Sequence, residues 1–206
     1  MPKLVDHEER RRQIAAALLR VAATRGLHGA GLREVATEAG LSVRLIQYYF
    51  GTKEQLLLYA ARHLAIQLSD RVLARLRAAG DGGPRAIIEA ILSEALPDDD
   101  DSRTFHVIWT SYLALSLTDT ALDMGPLARD ADVVEKVIAA QLRAAQAAGQ
   151  APPGLDVTLE ATSLMALSAG LSNSVLAGGL DAAQAGAVLR YQLDRLLPPS
   201  DWPADG

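Results

Sequence analysis

Residues 31–50 read Gly31-Leu-Arg-Glu-Val-Ala-Thr-Glu-Ala-Gly40-Leu-Ser-Val-Arg-Leu-Ile-Gln-Tyr-Tyr-Phe50, and this stretch decides the fold. Leu32, Val35 and Ala36 fall on one side of a short helix over 32–39, with Arg33, Glu34, Thr37 and Glu38 on the other. Gly40 ends it, and Ser42 can cap a second short helix over 43–50. Two short helices joined by a tight turn make a helix-turn-helix when three demands are met. The first helix needs a small residue at the crossing, which is Ala36. The turn needs a residue that tolerates positive φ, which is Gly40. The second needs an inward apolar residue, which is Ile46. Val35, Ala39 and Leu41 complete the seam. Arg44, Gln47 and Tyr48 are left on the outward face, residue types that suit a DNA groove. Ser42 and Lys53, at two helix N-termini, add donors where backbone N–H groups already favour a phosphate. The alternative is a plain αα-corner with a solvated face.

Upstream, Asp6 and Glu9 suit a capping box, and Ile14, Leu18 and Val21 line one helical face that ends at Arg25-Gly26. Downstream, Gly51 breaks the chain and Thr52 with Gln55 opens a long helix to about Ala79. Asp81-Gly82-Gly83-Pro84 punctuates, and Pro84 suits the first turn of a helix to about Leu96. Pro97 and the four aspartates after it read as a loop. Four more helices are predicted over 104–117, 127–148, 156–177 and 181–197, with Asp181 and Gln184 as a capping pair. Strand patterning is nearly absent. The fold class is therefore all-α, a three-helix helix-turn-helix head followed by a larger C-terminal helical bundle. Expected divisions are 1–52 for the head, 53–197 for a ligand-binding and dimerisation body, and 198–206 for a flexible tail.

The chain has 206 residues, half of them apolar and 22% charged, which excludes a disordered polymer and supports a packed core. It contains no cysteine, which removes disulfides, thiolate nucleophiles and sulfur-ligated metals. Residues 1–55 hold nine Lys/Arg against six Asp/Glu, a net of +3, and the remainder holds eleven against nineteen, a net of −8. A positive head on a negative body suggests that one end meets an anion. No apolar run is long enough to cross a bilayer, and the N-terminal residues are charged where a signal peptide would be apolar. No membrane partner and a cytoplasmic location are expected.

Residues 14–57 resemble the N-terminal domain of the TetR family of transcriptional regulators. The resemblance rests on Arg25-Gly26, Arg33-Glu34-Val35-Ala36, Ala39-Gly40-Leu41-Ser42, Ile46, Tyr48-Tyr49-Phe50 and Thr52-Lys53-Glu54-Gln55-Leu56. It implies a homodimer whose two recognition helices enter successive major grooves of a near-palindromic operator on double-stranded DNA. It also implies a divergent body that binds a small-molecule effector and releases DNA. Ser42, Arg44, Leu45, Gln47, Tyr48 and Lys53 match positions that often touch DNA in the family. Ala30-Gly31 stands where the family usually has Thr or Ser capping the second helix, Arg44 replaces a common Gly, and Gln47 a frequent Tyr. The C-terminal half, through Trp109, Gly170-Leu171 and the run from Gly178 to Leu193, is similar to the BetI-like branch.

In the body, Phe105, His106, Trp109 and Tyr112 fall on one helix, in a chain with only nine Phe, Trp and Tyr. Such a lining suits an apolar or cationic effector, to which Met165, Asn173 and His63 could contribute. The same stripe could be ordinary core, and Asn173 could instead make an interface hydrogen bond. Leu167, Leu171 and Val175, with Leu189, Leu193 and Leu196, are expected to supply the dimer surface, the alternative being an internal hairpin. Asp98 to Asp101 lack calcium-loop spacing. The four histidines are scattered, and no nucleophile elbow, dinucleotide or phosphate loop occurs, so no metal, cofactor or catalytic residue is predicted. The function expected is that of a ligand-released repressor. Its rivals are a DNA-binding dimer that takes no small molecule, or a helical enzyme or carrier.

Overall fold

A computed structural model describes residues 3–79, 82–117 and 125–198. Among these the chain forms nine helices and no strand: α1 (Lys3–Gly29), α2 (Leu32–Ala39), α3 (Val43–Phe50), α4 (Lys53–Ala79), α5 (Gly83–Glu94), α6 (Asp100–Ser116), α7 (Gly125–Ala147), α8 (Val157–Leu176) and α9 (Ala182–Leu196). No helix here is long and apolar enough to cross a membrane, and no cluster of three His, Asp or Glu could hold a metal among the described residues. The expected tail beyond Pro198 lies outside the described residues.

Two compact units emerge, one of residues 1–66 with 107–124 and the other of residues 67–106 with 125–206. The first unit therefore runs past the expected boundary at 52, into the front half of α4. The reason is that Leu56, Leu57, Ala60, Ala61 and Leu64 are buried, and Tyr59 donates a hydrogen bond of 2.6 Å to Glu8 of α1. α1 begins at Lys3, so Asp6 lies inside the helix rather than capping it. Its regular course breaks at Gly26, whose φ of 68° and ψ of 166° leave the helical region. Ile14, Leu18 and Val21 are buried as their spacing requires.

The turn between α2 and α3 shows why Gly40 is needed. It takes a left-handed φ of 66°, which lets the Leu41 N–H reach back 2.9 Å to the Ala36 carbonyl and satisfies a helix-end acceptor. Ser42 then caps α3, its hydroxyl accepting from the Leu45 N–H at 3.2 Å. Thr52 caps the start of α4 in the same way, accepting from Gln55 N–H at 3.3 Å.

The second unit packs α5, α7, α8 and α9 around Ile88, Leu92, Ile138, Leu142, Leu164 and Leu189. Asp156 caps α8, and Asp181 with Gln184 forms the reciprocal capping box of α9. The aspartate run is not simply a loop. Asp99 accepts from the Ser102 N–H at 2.8 Å while the Ser102 hydroxyl accepts from Asp99 N–H at 3.1 Å, so α6 starts at Asp100 with two acids in its first turn. Acidic side chains there complement the positive end of the helix dipole.

Candidate nucleic-acid interface

α3 is amphipathic in the sense its function would require. Ile46 and Phe50 are buried, while Arg44 and Gln47 are exposed and Tyr48 is 74% exposed. Leu45 is half-buried beside them. Ser42 stands exposed at the N-cap of α3, and Lys53, half-buried, opens α4. The structure thus brings Ser42, Arg44, Leu45, Gln47 and Tyr48 onto one short segment, with Lys53 one turn beyond its end. Arg44, Gln47 and Tyr48 project from a helix whose inner side is anchored, so their placement costs little ordering on contact.

A brace from α1 holds this helix. The Arg11 guanidinium lies 4.9 Å from the Phe50 ring and 4.7 Å from the Tyr59 ring, joining the end of α3 to α4. Its buried Nε has no hydrogen-bond partner, so the two π faces are what receives the cation. Burial first, and then the bond to Glu8, pushes the Tyr59 phenol up to about 12. One turn earlier, His7 lies 4.5 Å from Tyr49 and 6.4 Å from Tyr48, ring centroid to ring centroid. Sequence reading missed His7, Glu8 and Arg11. The signal was present: positions 7, 11, 14, 18 and 21 continue one helical face, whose first two members are not apolar.

At the start of α2, Gly31 supplies no side-chain cap, in keeping with its departure from the family pattern. A Cβ at Gly31 would fall 2.5 Å from Glu34 Oε2, so the glutamate carboxylate folds back over this helix end.

In the second unit, Glu94 ends α5 with a side chain only 2% exposed. Arg75 of α4 approaches it to 3.0 Å, and Arg71 pairs with both Glu94 and Asp99. Neither Glu94 oxygen has an aligned hydrogen bond, so these are ion pairs by proximity. Burial raises the Glu94 carboxyl, opposed by Arg75 and then Arg71. The Arg71 bond holds the Asp99 carboxyl down at about 2. Sequence reading did not single out Glu94, which lies three residues from Ile91 on an otherwise apolar helix face.

The proposed effector residues separate by exposure. Tyr112 is 1% exposed, Phe105, His106, Trp109 and Met165 are half-buried, and Asn173 is exposed on α8. Asn173 therefore faces away from the core rather than into an interior pocket. Burial lowers the pKa of His106, whose ring bonds the Ala95 backbone while its buried Nε2 has no partner. Leu171, Val175, Leu189, Leu193 and Leu196 belong to the core of the chain itself, and Leu167 packs against it. They are the apolar stripes that α8 and α9 turn towards each other and towards α5 and α7.

An anchored helix with Arg44 on its outward side, at the end of a three-helix head and followed by a second helical unit, defines a protein of the helix-turn-helix class. Residues 14–60 match the model of bacterial regulatory proteins of the tetR family, and residues 84–198 that of the BetI-type transcriptional repressor C-terminal region. The chain belongs to the TetR family, with a C-terminal half of BetI type. It is 37% identical over 114 residues to the HTH-type transcriptional regulator PksA of Bacillus subtilis, covering 55% of each chain. Over 117 residues it is 34% identical to the HTH-type transcriptional regulator BetI of Klebsiella pneumoniae, covering 57% of this chain and 60% of that one. The matched region thus spans little more than half the length of these curated relatives. Among solved structures, a protein of Saccharomonospora viridis in complex with choline superposes with a TM-score of 0.76 at 25% identity, over 92% of this chain and 98% of that one. A transcriptional regulator of Rhodococcus sp. Rha1 gives 0.74 at 25% identity, over 90% and 95%.

Proposed function

We propose that this chain is a transcriptional repressor that binds a near-palindromic operator as a homodimer and is released by a small molecule. The observation that carries this reading is the split of α3 into a buried side, Ile46 and Phe50, and an exposed side, Arg44, Gln47 and Tyr48. Arg44 reads a base edge, Gln47 pairs with adenine or a phosphate, and Ser42, Tyr48 and Lys53 hold the backbone while Leu45 meets a thymine methyl. We assign DNA reading to residues 1–52 and sensing and dimerisation to residues 53–197, a functional division that falls inside the first compact unit.

The dimer uses the outward faces of α8 and α9, since the inward leucines are occupied. On α8 that face carries Ala166, Ala169, Gly170 and Asn173, small residues that permit close helix approach. On α9 it carries Val188, 39% exposed, and Tyr191, 65% exposed. Two recognition helices about 34 Å apart then enter successive major grooves, and a shift of a few Å breaks the register of one half-site. The effector acts by binding the released arrangement more tightly than the DNA-bound one. Along α6, Phe105 and Trp109 offer it apolar and π groups, and the His106 Nε2, buried without a hydrogen-bond partner, offers an acceptor. The choline held by the S. viridis protein makes quaternary ammonium compounds the first effectors to test.

Selection of bound sequences from random duplex DNA by the purified chain tests the reading. A recovered site with two inverted half-sites about one helical turn apart supports it, and no enrichment over input overturns it. A thermal-shift series with choline and larger quaternary amines, followed by operator release, tests the effector.

A further inference from the structure

We propose that His7, on α1 and outside the helix-turn-helix, is a positioning residue of the DNA-reading surface, and that it acts by holding Tyr48; the proposal rests on the DNA-binding reading above. Tyr48 is 74% exposed, and an exposed tyrosine on a helix ordinarily samples several rotamers. Here it is one member of a three-ring stack. Tyr48 meets Tyr49 edge-on at 5.3 Å and 89°, Tyr49 meets His7 at 4.5 Å, and His7 closes the set on Tyr48 at 6.4 Å and 65°. Tyr49 is half-buried and gives the stack a fixed member.

His7 is itself held in register with α3. One turn further along α1, Arg11 is clamped between Phe50 and Tyr59. Half a turn beyond, the Gln13 amide donates to the Ala39 carbonyl at 3.4 Å, tying α1 to the end of α2. The front of α1 is therefore a splint along the recognition helix, and the His7 ring is the part of it that touches an exposed DNA-facing side chain. Its role is to fix the phenol so that the hydroxyl meets a DNA phosphate without first losing rotamer freedom. Ring contacts of this kind shift an equilibrium roughly two- to tenfold.

The test uses the 206-residue chain and a fluorescent duplex carrying the site that the unaltered chain selects. His7→Ala is expected to weaken that duplex about two- to tenfold, with the salt dependence of binding unchanged. His7→Phe, which keeps a ring and removes both nitrogens, is expected to restore affinity. In a Tyr48→Ala background, His7→Ala is expected to have no further effect, because the two act through one contact. The free protein is expected to give a proton NOE between the His7 and Tyr49 rings, a readout that does not depend on DNA. Unchanged affinity in His7→Ala, a His7→Phe variant as weak as His7→Ala, additive losses with Tyr48→Ala, or no NOE would each overturn the proposal. A salt slope lowered by about 0.9 in His7→Ala, together with failure of His7→Phe, would mark His7 as a direct phosphate contact and also overturn it. If the unaltered chain enriches no duplex, the DNA-binding reading fails first, an outcome separate from any difference among the variants.

Discussion

Glu94 at the end of α5 and Arg75 on α4 form an ion pair at 3.0 Å in which the carboxylate is 2% exposed and the guanidinium side chain 47%. The asymmetry decides what each half of the pair is worth. Removing the buried acid leaves two arginines that can turn to water, whereas removing the arginines leaves a buried carboxylate with no counter-charge.

Glu94→Gln should therefore change unfolding free energy by no more than about 1 kcal/mol at pH 7, because the neutral amide sheds the desolvation cost. Arg71→Met with Arg75→Met should cost about 3 kcal/mol or more. That loss should shrink as pH falls. Burial raises the folded pKa of Glu94, so the native state takes up its proton first on acidification, and the penalty of the charge disappears towards the ordinary carboxyl range. Urea titrations at pH 7 and 5 check both, and a double variant as stable as the parent at pH 7 would refute the asymmetry.

Tyr59 gives a prediction at the other end of the scale. Its phenol rises from 10.0 to about 12, so between those values the unfolded chain loses this proton before the folded one does. Stability must fall as pH climbs through that window. In Tyr59→Phe this part of the alkaline loss should be missing, while at pH 7 the variant should lose about 0.5–1.5 kcal/mol with the bond to Glu8. Thermal melts from pH 9 to 11.5 measure the difference in slope.

Gly40 has a left-handed φ of 66° and nothing within 4 Å of a Cβ built there. Gly40→Ala should thus cost about 1 kcal/mol from backbone conformation alone, without a clash. Gly31→Ala meets only the flexible tip of Glu34 and should be milder. Equal melting temperatures for the two variants would contradict this.

On DNA, Arg44→Ala should lose about 1–3 kcal/mol on the selected site and relax preference at one base pair. Lys53→Ala should weaken selected and scrambled duplexes alike and lower the salt slope by about 0.9. Equal losses on both duplexes for Arg44→Ala would remove it from base readout.

The helix-turn-helix was legible because its determinants are local. Ala36, Gly40, Ser42 and Ile46 act through steric size, φ preference and capping within a few residues, and the structure places each as spacing requires. The same holds for the Asp156 and Asp181 caps. By contrast, Asp6 and Asp99 are chemically similar capping candidates, and only the actual start of each helix decides that Asp99 caps and Asp6 does not.

What the amino-acid order determined by itself was helix, turn and the outward set Arg44, Gln47 and Tyr48, since periodicity and backbone preference are properties of neighbouring residues. Tertiary structure alone decided which apolar stripes the chain consumes internally, so that Leu189 and Leu193 became core and Val188 and Tyr191 surface. It alone joined residues far apart in sequence, setting His7 on Tyr49 and burying Glu94 against Arg71 and Arg75. A charge or a ring gains its role from what packs over it, and that partner is chosen by the fold, not by adjacency along the chain.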